Sequence, residues 1–185
     1  MNALVKPAAR QTTTASPDST ASSDRTQYLT FMLGSETFAI GILVVKEIIE
    51  YGGLTEVPMM PACIQGIINL RGAVVPVMDL AARFGKESKP ITKRTCIVIV
   101  EVEQEGDVQV IGMVVDAVNA VVEIAASDIE AAPAFGARIR SDFIAGMARC
   151  NDRFIILISP NAVLCLDDWE VPANGDPVTT AVLNL

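Results

Sequence analysis

The chain has no histidine. That absence removes Ser-His-Asp triads, Cys-His nucleophile pairs and every metal site that relies on imidazole. Aromatic residues are scarce, at 5% of the 185 positions. A core has therefore to be built from Val, Ile, Leu, Ala and Met, and the β-branched members of that set favour strands. Basic residues are outnumbered: 14 Lys and Arg face 22 Asp and Glu, for a net charge of -8. A phosphate backbone or an anionic bilayer is recognised by clustered cations, so neither nucleic-acid binding nor membrane docking is expected. The one local basic run, Lys86, Lys89, Lys93 and Arg94, reads as a solvated loop.

Long apolar runs are missing as well. No stretch reaches the roughly 18 uninterrupted apolar residues of a membrane span. The longest candidate, residues 108–126, is broken by Asp116, Asn119 and Glu123. The opening MNALVKPAAR has no apolar segment long enough for a signal peptide. A cytoplasmic protein without membrane insertion is the expectation. The cysteines, Cys63, Cys96, Cys150 and Cys165, are spaced too widely for a zinc knuckle and read as buried thiols in a reducing compartment. No metal or cofactor is expected.

What is present is ample material for a core, since 51% of the residues are hydrophobic. Residues 1–26 are rich in Thr, Ser, Ala and Pro without a hydrophobic period, which predicts a disordered tail. Strands follow at 27–33 and 37–42, turned by Gly34-Ser35. Residues 44–50 (VVKEIIE) read either as a short helix or as a strand with a polar kink. Residues 64–70 and 73–78 form strands around Arg71-Gly72, and Pro76 implies a sheet edge or bulge. Asp79 is placed to cap a helix over 80–84, ended by Gly85. Further strands are predicted at 95–103, 108–115, 118–124, 143–150 and 153–158, with hairpin turns at 104–107 and at Asn151-Asp152. Ser159 then caps a helix that opens with Pro160 and runs to about Trp169. Residues 171–185 read as a loose tail.

The chain also resembles itself. The run 40–44 (IGILV) recurs at 111–115 (IGMVV), and 64–67 (IQGI) recurs at 144–147 (IAGM). Each second match is followed by a turn, an apolar strand and a helix-capping residue, Asp79 or Ser159. Ordered matches of this kind indicate a duplicated unit of small β-barrel type rather than a solenoid. The offset widens across the irregular, Ala-rich residues 125–140. In this frame Arg71 stands out, because the matching turn, Asn151-Asp152, needs polarity but no arginine.

The stretch 66–80, GIINLRGAVVPVMDL, together with 44–58 (VVKEIIEYGGLTEVP), FAIGI and VIGMVVDAV, resembles the CheW family, the coupling proteins of bacterial chemotaxis. The resemblance covers about residues 27–166. The Leu-Arg-Gly turn followed by Pro-Val-x-Asp-Leu is specific as a joint pattern, though not to the coupling protein alone, because the regulatory domain of the CheA kinase shares the fold. The chain is too short to hold a kinase as well. The helix start at Ser159-Pro160-Asn161 departs from the family's usual Asp-bearing one.

The resemblance implies a mainly β fold of two SH3-like five-stranded barrels in a pseudo-two-fold relation, with short helices. One CheW-like domain would span 27–170. Its first barrel would cover 34–94, its second 95–159 together with the first strand 27–33, and a helix 160–169 would follow. It implies an adaptor with no catalytic activity, recruited to membrane receptor arrays. The adaptor would bridge the cytoplasmic tip of a chemoreceptor and the regulatory domain of a CheA-type histidine kinase. Val45, Glu47, Gly66 and Arg71 match family positions tied to receptor contact or groove shape. Val45 would offer an apolar contact, Gly66 a close backbone approach, and Glu47 and Arg71 an ion pair across neighbouring loops. Arg71→Ala and Gly66→Asp are both expected to fold and to lose assembly. Two other readings remain open here: the same adaptor role in a pilus or gliding pathway, and a hydrolase built on a carboxylate pair.

Overall fold

The computed structural model describes residues 25–104, 106–131, 139–150 and 153–165. The chain opens with the hairpin β1 (Arg25–Leu33) and β2 (Glu36–Gly41). A 3-10 turn over Ile42–Val44 leads into β3 (Val45–Glu50), so the ambiguous 44–50 segment is a strand, with a bulge between Val45 and Glu47. The hairpin β4 (Ile64–Leu70) and β5 (Ala73–Asp79) runs into α1 (Leu80–Arg83). Next come β6 (Cys96–Gln104), β7 (Asp107–Val115), β8 (Ala117–Ala125) and the short β9 (Ile129–Glu130). The hairpin β10 (Ile144–Cys150) and β11 (Arg153–Ile158) then leads into α2 (Pro160–Val163).

Two sheets result, ordered β3-β6-β7-β5-β4 and β8-β1-β2-β11-β10-β9. They correspond strand for strand under the internal repeat, β9 standing where the first sheet has the single bridge Thr55↔Ile67. Each sheet also carries one parallel pairing, β5 with β7 and β11 with β2. The expected division, 34–94 against 95–159 with the strand 27–33, puts β1 in the sheet where it lies but does not follow the sheets at β2 or at β6–β7. Hairpin β1–β2 goes as a unit into the sheet of β8, β10 and β11, and hairpin β6–β7 goes into the sheet of β3, β4 and β5. The reason is that both strands of each hairpin are committed to one another along most of their length. Neither strand can change sheets alone.

Successive side chains along the exchanged strands enter opposite cores, with the period of two that a sheet imposes. On β6, Ile97 and Ile99 join Ile68, Val75 and Val77 inside one barrel, while Val98, Val100 and Val102 face a core shared by both barrels. That shared core also takes Leu29, Phe31, Leu33, Phe38 and Ile40 from the β1–β2 hairpin. The second barrel has its own smaller centre around Ala39, Ile124, Ala148, Ile155 and Leu157. Each large apolar side chain removed from water contributes about 1.5–3 kcal/mol, so the shared core is the largest source of cohesion.

Four phenylalanines run in file through that core, Phe31–Phe38–Phe84–Phe143, with ring centroids 6.1, 5.4 and 6.0 Å apart. Arg83, at the end of α1, covers the last ring at 4.9 Å and donates to the carbonyls of Val163 and Cys165 at 2.9 and 3.3 Å. The last carbonyl of α2 and that of Cys165 just beyond it are thereby satisfied by a side chain from the other half of the repeat. Asp79 caps α1 as expected, accepting from the amides of Ala81 (2.9 Å) and Ala82 (3.1 Å). Ser159 does not act as a side-chain cap, and α2 is set by Pro160 at its first position. This helix ends at Val163 rather than near Trp169, and residues 166–169 lie outside the described residues. Of the expected tails, 1–24 and 171–185 also lie outside them, whereas Arg25 and Thr26 already belong to β1 and pair with Ala125 and Ile124.

The exchange has a consequence for the halves taken separately. A fragment of residues 1–94 keeps β1 and β2 but loses β6–β7, the strands between β3 and β5. It should give the poorly dispersed amide NMR spectrum of an unfolded chain, and mixing it with 95–185 should restore dispersion. A well-dispersed spectrum from 1–94 alone would contradict the arrangement.

Candidate functional site

The register Leu70↔Ala73 leaves a two-residue loop, Arg71-Gly72, at the β4–β5 tip. Both residues have positive φ, 54° and 93°, the signature of a type I′ turn whose twist matches the flanking strands. The Asn69 side-chain oxygen accepts from the Gly72 amide at 2.8 Å and stiffens the turn. A left-handed conformation costs a residue with a Cβ roughly 1–2 kcal/mol, which Asn tolerates better than Arg. Arg71 therefore occupies a position that turn chemistry alone would give to another residue.

The Arg71 guanidinium donates to the Glu47 carboxylate at 2.9 Å. Glu47 is on strand β3 rather than on a loop, so the expected pair forms in a different setting. Strands β3 and β4 are the two outermost in their sheet order. The pair ties the β4–β5 tip to β3 across the seam where that sheet rolls closed. With the two side chains 81% and 26% exposed, it contributes about 0–1 kcal/mol. Its effect is geometric: it holds the arginine over a groove.

That groove has a physical cause in Pro76. The parallel ladder between β5 and β7 begins only at Val77↔Gly112. Before it, Pro76 has no amide hydrogen to give, and β5 and the start of β7 diverge. In the second barrel the counterpart of Pro76 is Ile156, and the parallel ladder runs straight through it, Ile156↔Phe38. The opening in the first barrel measures about 800 Å³ and is lined by Lys46, Glu47, Arg71, Val74, Pro76, Asp107, Val108 and Gln109 among others. Val74 and Val108 lie 64% and 63% exposed, an apolar surface that monomer packing leaves uncovered.

The remaining expected residues sit elsewhere. Val45 is half-buried and packs against the shared core. The freely exposed apolar residue near it is Leu43, in the preceding 3-10 turn. Gly66 is buried at a bulge in β4, outside the groove lining, with φ of 152°. A Cβ there would meet the Thr55 carbonyl oxygen at 2.4 Å, where Thr55 and Ile67 exchange backbone hydrogen bonds of 2.8 and 2.9 Å. Gly146 plays the same part in β10, where a Cβ would lie 3.0 Å from the Glu130 carbonyl. Gly66 thus serves the crossing of a chain segment over β4. The exposed Val74 and Val108 were hidden in the sequence, since apolar residues in strand patterns read as core.

A second polar cluster lies under the β5–α1 junction. Asp79, 5% exposed, accepts from Gln65 Nε2 at 2.9 Å and from the Ser88 hydroxyl, and Tyr51 donates to Gln65 Oε1 at 2.9 Å. These bonds satisfy the buried carboxylate and fix the helix start. Nearby, burial pushes the Cys63 thiol above its ordinary range, against the pull of the Arg83 guanidinium, which disfavours a reactive thiolate. Among the described residues no group of three His, Cys, Asp or Glu could hold a metal ion, and no helix is long and apolar enough to cross a membrane.

Residues 27–167 match the family model described as the CheW-like domain. The chain is 30% identical over 148 residues to the chemotaxis protein CheW of Klebsiella aerogenes, covering 80% of this chain and 87% of that one. Among solved structures, the scaffolding protein TtCheW of Thermoanaerobacter tengcongensis aligns with a TM-score of 0.66 and 36% identity, over 73% of this chain and 84% of its own. A shorter match, 30% identical over 71 residues, covering 38% of this chain and 40% of the other, links it to the protein PilI of Pseudomonas aeruginosa.

Two substitutions separate the site from its frame. Gly66→Asp drives a side chain into the Thr55 carbonyl and should lower stability by about 2–4 kcal/mol, so the expectation that it folds normally is revised. Arg71→Asn relieves the left-handed strain at the cost of a weak ion pair and should leave stability within about 1 kcal/mol of the parent. Urea denaturation followed by circular dichroism measures both; a Gly66→Asp variant as stable as the parent would contradict the crossing geometry.

Proposed function

The chain belongs to the CheW family, and from that membership we propose that it is a non-catalytic adaptor coupling chemoreceptors to a CheA-type histidine kinase. In this reading it works in the cytoplasm, recruited to membrane receptor arrays. The receptor's helical cytoplasmic tip docks on the first barrel at the groove beneath Arg71. The single observation that carries the reading is an arginine kept in a strained turn and held by Glu47 over exposed apolar surface. Strain without a stability return points to function, and an apolar groove with a charged rim suits an amphipathic helix. Val45 and Gly66 contribute by shaping β3 and β4 rather than by direct contact.

The hydrolase reading needs a desolvated pair of acids. The groove holds Glu47 and Asp107, but Arg71 engages the first and the second is exposed. An adaptor role in a pilus or gliding pathway uses the same chemistry, and the likeness to PilI keeps that variant in view. Co-purification from native cells separates the pathways by the receptor and kinase that come down.

The direct test is a pull-down with a chemoreceptor cytoplasmic fragment. Arg71→Asn should fold like the parent and weaken capture by about tenfold, the scale of one contact residue at an interface. Undiminished capture by this variant would remove Arg71 from the docking surface.

A further inference from the structure

Two residues other than glycine have positive φ among the described residues, Arg71 at 54° and Met59 at 63°. Arg71 belongs to the groove. Met59 does not, since no residue of 56–63 lines it. Pro58 and Met59 form the corner of a turn in the connection between β3 and β4. Proline followed by a residue of positive φ is the type II arrangement, whose second corner is ordinarily glycine or asparagine. Methionine gains nothing there for the fold: its side chain is 88% exposed, whereas the other described methionines are buried or half-buried. Its neighbour Met60 packs against the shared core and roots the tip. Pro58 and Pro61 restrict the backbone on either side. No charged residue stands between Val57 and Leu70. The result is a stiff, uncharged projection that ends in one thioether side chain, held in a conformation that local stability disfavours. Strain of this kind, like that at Arg71, points to function.

We infer that Met59 anchors a second docking surface and enters an apolar pocket on the kinase's regulatory domain. The inference rests on the proposed adaptor role and adds the surface for its second partner. The shape of the tip selects between the two partners. A projecting side chain is buried only by a concave surface, whereas the receptor tip of that reading is a convex helical rod that itself fills a groove. The regulatory domain is the partner left to supply a pocket. Methionine suits an apolar pocket, being unbranched and polarisable, and it is enriched at protein interfaces. The flanking prolines lower the ordering cost of binding. Because Met59 lies outside the groove, receptor and kinase are held at separate places, as an adaptor requires.

Calorimetric titration of the full chain with a CheA-type regulatory domain, and separately with a chemoreceptor cytoplasmic fragment, tests it. Met59→Asn should weaken binding of the regulatory domain by about tenfold or more, the scale of a buried anchor. Its thermal midpoint should equal or exceed the parent's, because asparagine accepts the left-handed conformation more readily. Its binding of the receptor fragment should be unchanged. Met59→Leu, which keeps the apolar volume, should bind the regulatory domain within about threefold of the parent. A Met59→Asn variant that binds the regulatory domain as the parent does overturns the anchor and leaves the adaptor reading standing. An equal loss for both partners also overturns the anchor, because the tip then serves the fold or the groove. A parent chain that binds neither partner overturns the adaptor reading and the anchor with it.

Discussion

The structure depends on an exchange. Each barrel is completed in its middle by a hairpin from the other half of the repeat, β6–β7 in one and β1–β2 in the other. The exchanged strands are buried on both faces, one toward their adopted barrel and one toward the common core. Neither barrel can open without exposing the shared file of phenylalanines. Arg83 adds a polar tie in the same direction, from the end of α1 to the Val163 and Cys165 carbonyls at and beyond the end of α2. For a protein whose proposed work is to hold partners in a fixed relation, a joint that cannot hinge freely is the relevant mechanical property.

Duplication also shows what the first barrel has that the second lacks. The bulged glycine and the strand order recur as scaffold. Proline at position 76 does not recur, and where Ile156 replaces it the parallel ladder closes. One missing amide hydrogen thus opens a groove in the first barrel. Arg71 does not recur either. These two departures from the second hairpin act on the same spot, one making the opening and the other guarding its rim.

Much of this was legible in the sequence. Period-two alternation at 95–103 marked a strand, the Arg-Gly dipeptide marked the tip of a hairpin, and Asp79 marked a helix start. Pro76 was expected to mark a sheet edge or a bulge, but β5 lies between β7 and β4 and the bulge falls between Ile64 and Gly66; the proline stands instead just before the parallel ladder to β7. What could not be read was which sheet each hairpin enters, because alternation reports two faces and not the neighbour across them. The close backbone approach expected at Gly66 is made by Thr55, a partner the sequence could not name because it belongs to a connection without a period. Ser159 looked like a cap by type, yet Pro160 alone sets the start of α2. Val74 and Val108 were invisible as surface because nothing local distinguishes an exposed valine in a strand from a buried one.

The central claim is that partners dock where β5 and β7 diverge beneath Arg71. Amide hydrogen exchange of the full chain, free and saturated with a chemoreceptor cytoplasmic fragment, reads that location without any substitution. The account predicts new protection concentrated at residues 71–76 and 107–111, with the β8–β1 face of the second barrel unchanged. Protection confined to the second barrel, with 71–76 and 107–111 exchanging as in the free protein, would contradict it.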